Sequence, residues 1–349
     1  MKKINYFVFL FFLTIYAVAE ENSEIYMFVP HEFWLTKIDA DELIKTSVAS
    51  GVDTLIVNVW HGRGAVWRSE KIPMNPIMNR DEMLDDPLKY LISLAKENNI
   101  QIYPLISVSH KSREKFDDFE DTPGVNKAFN LHEKDVQDMI LTITTELING
   151  YSVDGLMLDY IRTKGVCVSR DCILSYKNST GRSLKLDTKI AKINKEAFKN
   201  ISQWNKNVVD NILINIKKIT DSASIPLAVS SHPGHDGFMM QGADSVSWMN
   251  DNLIDQLFSM NYQSIDKMPK NKLASILEQL KRPEDMILII GNFEKNIDDK
   301  FTVSPREKIE FERVVNYAKT YNKHNNSLAI FTYRYLSNDH IAYLSGLNK

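Results

Sequence analysis

From residue 25 onwards, short hydrophobic runs alternate with longer stretches in which hydrophobic positions follow a helical period. The runs are rich in Val, Ile, Leu and aromatic residues, which is typical of buried parallel strands. The predicted strands span 25–29, 54–60, 100–108, 153–161, 225–230, 254–260, 286–290 and 327–333. The predicted helices span 41–50, 87–98, 133–149, 196–219, 272–280, 305–321 and 339–344. Pro87 and Pro305 suit a first helical turn, with Asp86 and Ser304 as N-caps.

This alternation predicts a fold of the α/β class. About eight strands, each followed by a helix, are the plan of a (β/α)8 TIM barrel. The alternative is an open doubly wound sheet, which usually has a Gly-rich phosphate-binding loop after an early strand, and this sequence has none. No repeat, biased linker or change of composition divides the chain, so we expect a single barrel domain over residues 20–349.

Residues 1–19 have the pattern of a secretory signal peptide. Lys2 and Lys3 precede an apolar run over 6–18, and the small residues over 17–19 fit a cleavage site. The alternative, an uncleaved anchor helix, is disfavoured because the run is shorter than the ~20 residues that span a bilayer. We therefore expect a secreted or periplasmic protein with no stable membrane span after signal cleavage.

The composition is that of an ordinary globular protein and narrows the possible partners. Of 349 residues, 44% are hydrophobic and 25% charged, and 42 basic against 45 acidic residues give a net charge of −3. There is thus no basic surface expected for nucleic acid.

Cys167 and Cys172 are predicted to form a small disulfide loop in an oxidising compartment. A metal site would need more ligands nearby, and His232 and His235 flank a Pro-Gly turn typical of a loop, so we expect neither a metal nor a cofactor.

Candidate binding residues follow from the barrel, because such barrels place their working residues at the C-terminal ends of strands. Those ends are polar, aromatic and acidic at once, a mixture that suits a sugar. Aromatic rings cover the apolar faces of sugars, and Asn, His and Arg hydrogen-bond their hydroxyls. The predicted substrate-binding residues are Trp60, His61, Tyr160, Arg162, His232, Asn261, Tyr262, Tyr333 and Arg334, with Trp67 as a further sugar platform.

Asp159 is the leading catalytic candidate. It directly follows the apolar strand interior at 155–158, and a carboxylate there is costly to bury unless it is used or paired. The alternative is a structural salt bridge to Arg162. Asp154 lies five positions earlier, so it points to the opposite face of the strand, and we expect it to be structural near the bottom of the barrel.

A second carboxyl group is expected, because glycoside hydrolysis usually uses two groups ~5–9.5 Å apart. Glu294 follows the seventh predicted strand and is the predicted catalytic partner of Asp159. Beside Lys295, it could equally be a solvated loop residue. Glu32, after the first strand, is the next candidate. If the sugar has an N-acetyl group, the substrate itself could supply the nucleophile.

Three segments resemble one known family. Residues 151–162, with the sequence YSVDGLMLDYIR, resemble the fourth-strand signature of the glycosyl-hydrolase-like family 10 proteins. Residues 51–59 resemble the second strand of that family, and residues 248–262 resemble its sixth-strand region. With weaker matches between them, the resemblance covers nearly the whole chain after the signal peptide.

The resemblance implies a (β/α)8 barrel that cleaves a polysaccharide, with peptidoglycan glycan strands as a plausible substrate of an exported member. It also implies that Asp159 is the catalytic acid and that Asn261 and Tyr262 line the cleft. The chain departs from the family at residues 60–63, where members commonly have an Arg-Pro sequence, and at 163–164, where many have Tyr-Pro. We expect the sugar contacts of these loops to differ accordingly.

Two functions therefore remain open at the level of sequence. The first is an exported glycoside hydrolase with Asp159 as its key carboxylate. The second is a non-catalytic carbohydrate-binding barrel, which stays open because the second acid is uncertain. In both, the partner is an oligo- or polysaccharide.

Overall fold

A computed structural model of the protein describes residues 23–111, 128–295 and 302–347. The strands in these residues are β1 Ile25–Val29, β2 Thr54–Trp60, β3 Gln101–Ser107, β4 Leu156–Asp159, β5 Leu227–Ser231, β6 Gln256–Asn261, β7 Met286–Gly291, β8 Phe293–Lys295, β9 Val303–Pro305 and β10 Leu328–Phe331. β1 to β7 and β10 are parallel, and they close into an eight-stranded barrel in which β10 pairs with β1 and β7. β8 and β9 form an antiparallel hairpin. The predicted (β/α)8 barrel is therefore confirmed.

Helices follow the barrel strands and cover the outside of the barrel. They are α1 Lys37–Ser50, α2 Pro87–Glu97, α3 Lys134–Gly150, α4 Arg170–Thr180, α5 Leu184–Ile190, α6 Lys195–Ser222, α7 Asp236–Met239, α8 Ser245–Asn250, α9 Lys270–Gln279, α10 Lys308–Thr320 and α11 Asn338–Leu344. All seven predicted helices are present, whereas α4, α5, α7 and α8 were not predicted. The prediction that Asp86 is the N-cap of α2 is confirmed. Its carboxylate accepts a hydrogen bond from the Lys89 backbone N–H at 3.1 Å.

The start of α10 differs from the prediction. Ser304 and Pro305 were predicted to open this helix, but both lie in β9, where Pro305 pairs with Phe293. The helix begins at Lys308 instead, with Glu307 at the N-cap position. The prediction was wrong because the pairing partner of β9 lies in another segment of the chain, which local N-cap rules do not detect.

Each barrel strand divides its side chains between two hydrophobic cores. In β1, Tyr26 and Phe28 belong to the core inside the barrel, whereas Ile25, Met27 and Val29 belong to the core between strands and helices. Neighbouring side chains of a strand point to opposite faces. Because both faces are buried, the strands are continuous hydrophobic runs rather than alternating ones.

Three aspartates connect neighbouring strands by hydrogen bonds at the N-terminal end of the barrel. Each precedes a strand, and its carboxylate accepts a hydrogen bond from the backbone N–H at the start of the strand before it. The pairs are Asp53 with Ile25 at 2.8 Å, Asp154 with Ile102 at 2.8 Å and Asp255 with Leu227 at 2.7 Å. We call these the aspartate clamps. The structural role predicted for Asp154 is therefore confirmed.

The predicted disulfide between Cys167 and Cys172 is present in the loop that leads from β4 to α4. It lies in a third hydrophobic cluster, separate from the two barrel cores, which also contains Tyr176 and Trp204. The Asn130 side-chain amide donates to the Cys167 Sγ at 3.2 Å and so ties the loop to the barrel. Closing so short a loop stabilises the fold by about 2 kcal/mol on loop-entropy grounds.

The predicted signal peptide, residues 1–19, lies outside the described residues. Among the helices in the described ranges, none combines the length and the apolar character that a membrane span requires.

Gly155, which directly precedes β4, provides a test of the packing inside the barrel. A Cβ atom added to Gly155 would lie 2.4 Å from the ring of Tyr103, which is itself buried in the interior core. We expect Gly155→Ala to lower the free energy of unfolding by about 1–3 kcal/mol, because overpacking shifts a ring that has no free space. The measurement is urea unfolding of both proteins.

The matched control is Gly150→Ala, at the end of α3, where an added Cβ meets nothing within 4 Å. This variant should change the free energy of unfolding by less than about 1 kcal/mol, in either direction. Equal losses in the two variants would contradict the packing argument.

Candidate active site

A cavity of about 550 Å³ opens at the C-terminal end of the barrel strands. Its lining comes from the ends of β1 to β6 and β10 and from the segments that follow them. The polar residues and the tyrosines among them are His31, Glu32, Asn58, His61, Ser107, Asp159, Tyr160, Arg162, His232, Tyr262, Thr332 and Arg334. This is the end at which barrels of this type build their active sites.

Asp159 lies at the inner wall of this cavity because of its position on β4. Met157 belongs to the core inside the barrel, so Asp159, two residues later, has the same inward direction at the open end. Its carboxylate accepts a hydrogen bond from the Tyr160 backbone N–H at 2.7 Å. Burial raises the pKa of Asp159, while that hydrogen bond and the charge of Arg162 act in the opposite direction. The net effect is a pKa above the ordinary value of an aspartate.

The backbone after Asp159 is strained. Tyr160 has a φ of 52°, in the left-handed region that residues with a bulky side chain rarely adopt. Such conformations cost about 1–3 kcal/mol each and occur preferentially at functional sites. The turn lets Asp159 and Tyr160, which are adjacent in the sequence, both line the cavity.

The side chain of Arg162 is held by aromatic rings. Its guanidinium group lies 4.6 Å from the ring centre of Tyr160 and 4.1 Å from that of Phe238. Within the described ranges it forms no ion pair with Asp159, although its charge acts on that carboxyl group. The alternative prediction of a structural salt bridge between them was therefore wrong for this structure.

Glu32 is the second acidic residue that lines the cavity. It lies in a short 3-10 turn after β1 and forms an ion pair with Arg334, while His31 is 3.8 Å away. The charge of Arg334 stabilises Glu32 in its ionised form. The cavity therefore combines one carboxyl group whose pKa is raised with a second one that is paired with a cation.

Glu294 is not among the described residues that line the cavity. It lies on β8, where it pairs with Ser304 of β9, and its charge acts on Arg306. The preceding residue, Phe293, packs on Tyr262 and Phe331 of the cavity wall, with ring centres 6.0 and 6.2 Å apart, and neighbouring side chains of a strand point to opposite faces, so Glu294 points away from that wall. The structure brings Glu32, and not Glu294, into one cavity with Asp159.

Three histidines in the cavity are uncharged at neutral pH. Burial lowers the pKa of His61 to about 4, and the nearby positive charges of Lys164 and Arg63 add to the effect. Burial likewise lowers the pKa of His31 and of His232. A neutral imidazole both donates and accepts hydrogen bonds. The ring Nδ1 of His61 lies 2.9 Å from the Ser107 hydroxyl, which leaves Nε2 for a ligand.

The prediction of sugar platforms at Trp60 and Trp67 was wrong. Both side chains are fully buried in the core between strands and helices. The pairing of β2 with β3 shifts register between Asn58 and Trp60, which is the mark of a β-bulge. Asn58 lines the cavity before the bulge and His61 after it, while Trp60 is turned to the outer core.

Asn261 and Tyr333 also lie outside this cavity. Asn261 points to the opposite face of β6 from Met260 and Tyr262, and its side-chain amide donates to the Ser259 hydroxyl at 3.0 Å. The ring of Tyr333 packs on Phe33 against the outer core, with ring centres 5.2 Å apart. The other predicted binding residues line the cavity: His61, Tyr160, Arg162, His232, Tyr262 and Arg334.

Several lining residues were not predicted as binding residues. Asn58 and Ser107 could have been found, because each lies two residues after a side chain of the interior core, Ile56 and Leu105. Phe238 could not, because it lies on the short helix α7, which has no periodic pattern. In the part of the chain that the structure describes, no group of three His, Cys, Asp or Glu residues is placed to hold a metal ion.

Residues 26–306 match the sequence profile of the family described as glycosyl hydrolase-like 10. The chain belongs to this family, as its sequence motifs implied. No protein with a curated description matches the sequence.

Several solved structures of glycoside hydrolases share the fold. The glycoside hydrolase domain of PgaB (BpsB) from Bordetella bronchiseptica aligns with a TM-score of 0.67 and 11% identity, over 93% of this chain and 98% of that one. Alpha-L-fucosidase isoenzyme 2 from Paenibacillus thiaminolyticus gives 0.63 and 13%, over 93% and 48%. The spore cortex-lytic enzyme SleL from Bacillus megaterium QM B1551 gives 0.57 and 11%, over 94% and 74%. The fold is thus a glycoside hydrolase-like TIM barrel.

The raised pKa of Asp159 predicts a pH-dependent effect on stability. A carboxyl group whose pKa is higher in the folded than in the unfolded state destabilises the fold once pH exceeds its unfolded value of ~3.9. Asp159→Asn keeps the shape and an acceptor for the Tyr160 N–H but has no charge to desolvate. We therefore expect this variant to be more stable than the wild type at pH 7, with a difference that shrinks as pH falls towards ~4.

Urea unfolding of the two proteins from pH 4 to 8 measures this difference. A variant that is less stable than the wild type at pH 7 would show that the ionised carboxylate is well solvated or paired.

Proposed function

We propose that this protein is an exported glycoside hydrolase that cleaves a polysaccharide, with Asp159 as its key carboxylate. The observation that supports this most directly is the position of Asp159, a desolvated carboxyl group with a raised pKa on the wall of the barrel-mouth cavity. A raised pKa in a cleft is typical of a catalytic acid. Membership in the glycosyl hydrolase-like family and the barrel fold agree with this function.

In the proposed mechanism, Asp159 is the general acid. A carboxyl group with a raised pKa stays protonated closer to neutral pH, where it can donate its proton to the glycosidic oxygen as the bond breaks. Burial also raises the pKa of the nearby Tyr262 well above its usual value, so its phenol remains a hydrogen-bond donor for a sugar hydroxyl. The neutral side chains of His31, His61 and His232 provide further donors and acceptors.

Glu32 is the proposed second group. Its ion pair with Arg334 favours the ionised form, which is the form needed to activate water or to attack the sugar. Arg334 also restricts the positions that the carboxylate can adopt. If the sugar has an N-acetyl group, the acetamido oxygen can take the role of nucleophile, and a carboxylate then orients it.

Peptidoglycan glycan strands are the proposed substrate class, and the name of SleL, a spore cortex-lytic enzyme, fits it. The test is incubation with a panel of polysaccharides that includes peptide-free peptidoglycan strands, followed by product analysis. Newly formed reducing ends would support hydrolysis. Binding of a glycan without any cleavage would instead favour the alternative, a non-catalytic carbohydrate-binding barrel.

Asp159→Asn should lower turnover by at least ~100-fold, the scale of losing one general acid. The matched control is Asp154→Asn, the same chemical change at an aspartate clamp on the opposite end of the barrel. This control should keep turnover within a few-fold of the wild type once its folding has been checked by circular dichroism. Near wild-type turnover in folded Asp159→Asn would refute the role of this residue.

A comparison of Glu32→Gln with Glu294→Gln tests the second carboxyl group. If Glu32 acts with Asp159, kcat/KM of the wild type has a bell-shaped pH profile, with the ionised partner setting the acidic limb. Glu32→Gln should then remove that limb and at least ~100-fold of the turnover, whereas Glu294→Gln should keep both limbs. Loss of the limb in Glu294→Gln alone would restore the original prediction. Turnover near the wild-type value in both variants would indicate that the substrate's acetamido group takes the role of nucleophile.

A further inference from the structure

Arg162 is a cation in the barrel-mouth cavity that forms no salt bridge with the described residues, although its charge interacts with the nearby Asp159. Tyr160 and Phe238 hold its guanidinium group by their ring faces, and the buried Nε has no hydrogen-bond acceptor. Aromatic rings orient the plane of a guanidinium group, but they have no net charge and do not neutralise it. A buried donor without an acceptor is costly, so the position of Arg162 is not explained by hydrogen bonds within the protein.

The two acidic residues in the cavity do not neutralise Arg162. Glu32 is already paired with Arg334. Asp159 forms no ion pair with Arg162, and burial favours its uncharged form. The histidines of the cavity are uncharged at neutral pH, as described above. Arg162 therefore provides the unmatched charge among the residues described at the cavity wall.

The positive character continues into a neighbouring cavity of about 360 Å³. It shares His232, Phe238 and Met260 with the barrel-mouth cavity, so a ligand can extend from one into the other. Its one permanently charged lining residue in the described ranges is Lys272, and no acidic residue lines it. Since the protein as a whole has a net charge of −3, this positive region is local to the site.

We propose that Arg162 makes the site specific for a glycan that bears carboxylate groups, and that its guanidinium binds one of them. This inference rests on the proposed glycoside hydrolase function and names the chemistry of its substrate. A planar guanidinium matches the two oxygens of a carboxylate, and Arg pre-oriented by aromatic rings loses little side-chain entropy on binding. The carboxylate can belong to a uronic acid or to the lactyl ether of a muramic acid.

Binding is measured with the whole chain in the Asp159→Asn background, so that no substrate is consumed. The ligands are oligogalacturonate and peptide-free peptidoglycan oligosaccharides, each compared with a counterpart whose carboxyl groups have been reduced to alcohols. Calorimetry should show at least about tenfold tighter binding of the carboxylated member of the pair, the scale of one charge-assisted hydrogen bond. The pair that shows the preference identifies the source of the carboxylate.

Substitution of Arg162 then tests the residue itself. Arg162→Gln should abolish the preference for the carboxylated member, and Arg162→Lys should keep part of it, because a lysine retains the charge without the planar donor pair. The control is Arg313→Gln on α10, which removes one positive charge from an exposed residue paired with Asp266 and Glu310. This control should keep the preference.

The possible results separate this inference from the proposed function. Equal binding of both members in every pair would overturn the inference, whether or not Arg162→Gln folds. So would a preference that persists in folded Arg162→Gln. A preference that depends on Arg162, without cleavage by the wild type, would keep the inference and refute the hydrolase function. Cleavage of neutral glycans alone would support the hydrolase function and overturn the inference about carboxylate groups.

Discussion

A closed barrel of parallel strands directs the side chains of each strand alternately to the barrel interior and to the layer of helices outside. Inward residues fill the barrel interior and outward residues pack under the helices, so polar groups on the strands find room mainly at the two open ends. At the N-terminal end, the aspartate clamps use this room to join strands. At the C-terminal end, the inward positions of Asp159 and Tyr262 form a cavity wall. The site therefore follows from the register of the barrel.

The sequence was sufficient for the barrel because both faces of each strand are apolar, which makes the strands recognisable as short hydrophobic runs. Asp159 was predictable for the same reason, as a carboxylate directly after such a run. Trp60 was not, because the bulge that turns it outward arises from pairing with β3, a long-range contact. The hairpin that contains Glu294 consists of two three-residue strands, which are too short to give a periodic pattern.

Charge in the cavity is kept low by several independent means. Burial keeps the histidines neutral and favours the protonated form of Asp159, and Arg334 compensates Glu32. The effective dielectric constant of such a cavity is well below that of water. A single cation there interacts with other charges over a longer distance than it would in solvent. Arg162 can therefore influence both the proton affinity of Asp159 and the choice of ligand. Such sites are commonly a source of instability that the rest of the fold must offset.

The aspartate clamps have a consequence for how the barrel assembles. Each joins two strands that are consecutive in the chain, across 28, 52 and 28 residues, and thus fixes β1 to β2, β3 to β4 and β5 to β6. The seam between β1 and β10 joins residues about 300 apart, as in the bond from the Glu24 N–H to the Ser327 hydroxyl, which spans 303 residues. Contacts of long range form late, because the loop entropy must be lost first. The clamped pairs are natural early units, and closure of the seam, which also completes the cavity with Thr332 and Arg334, would come last.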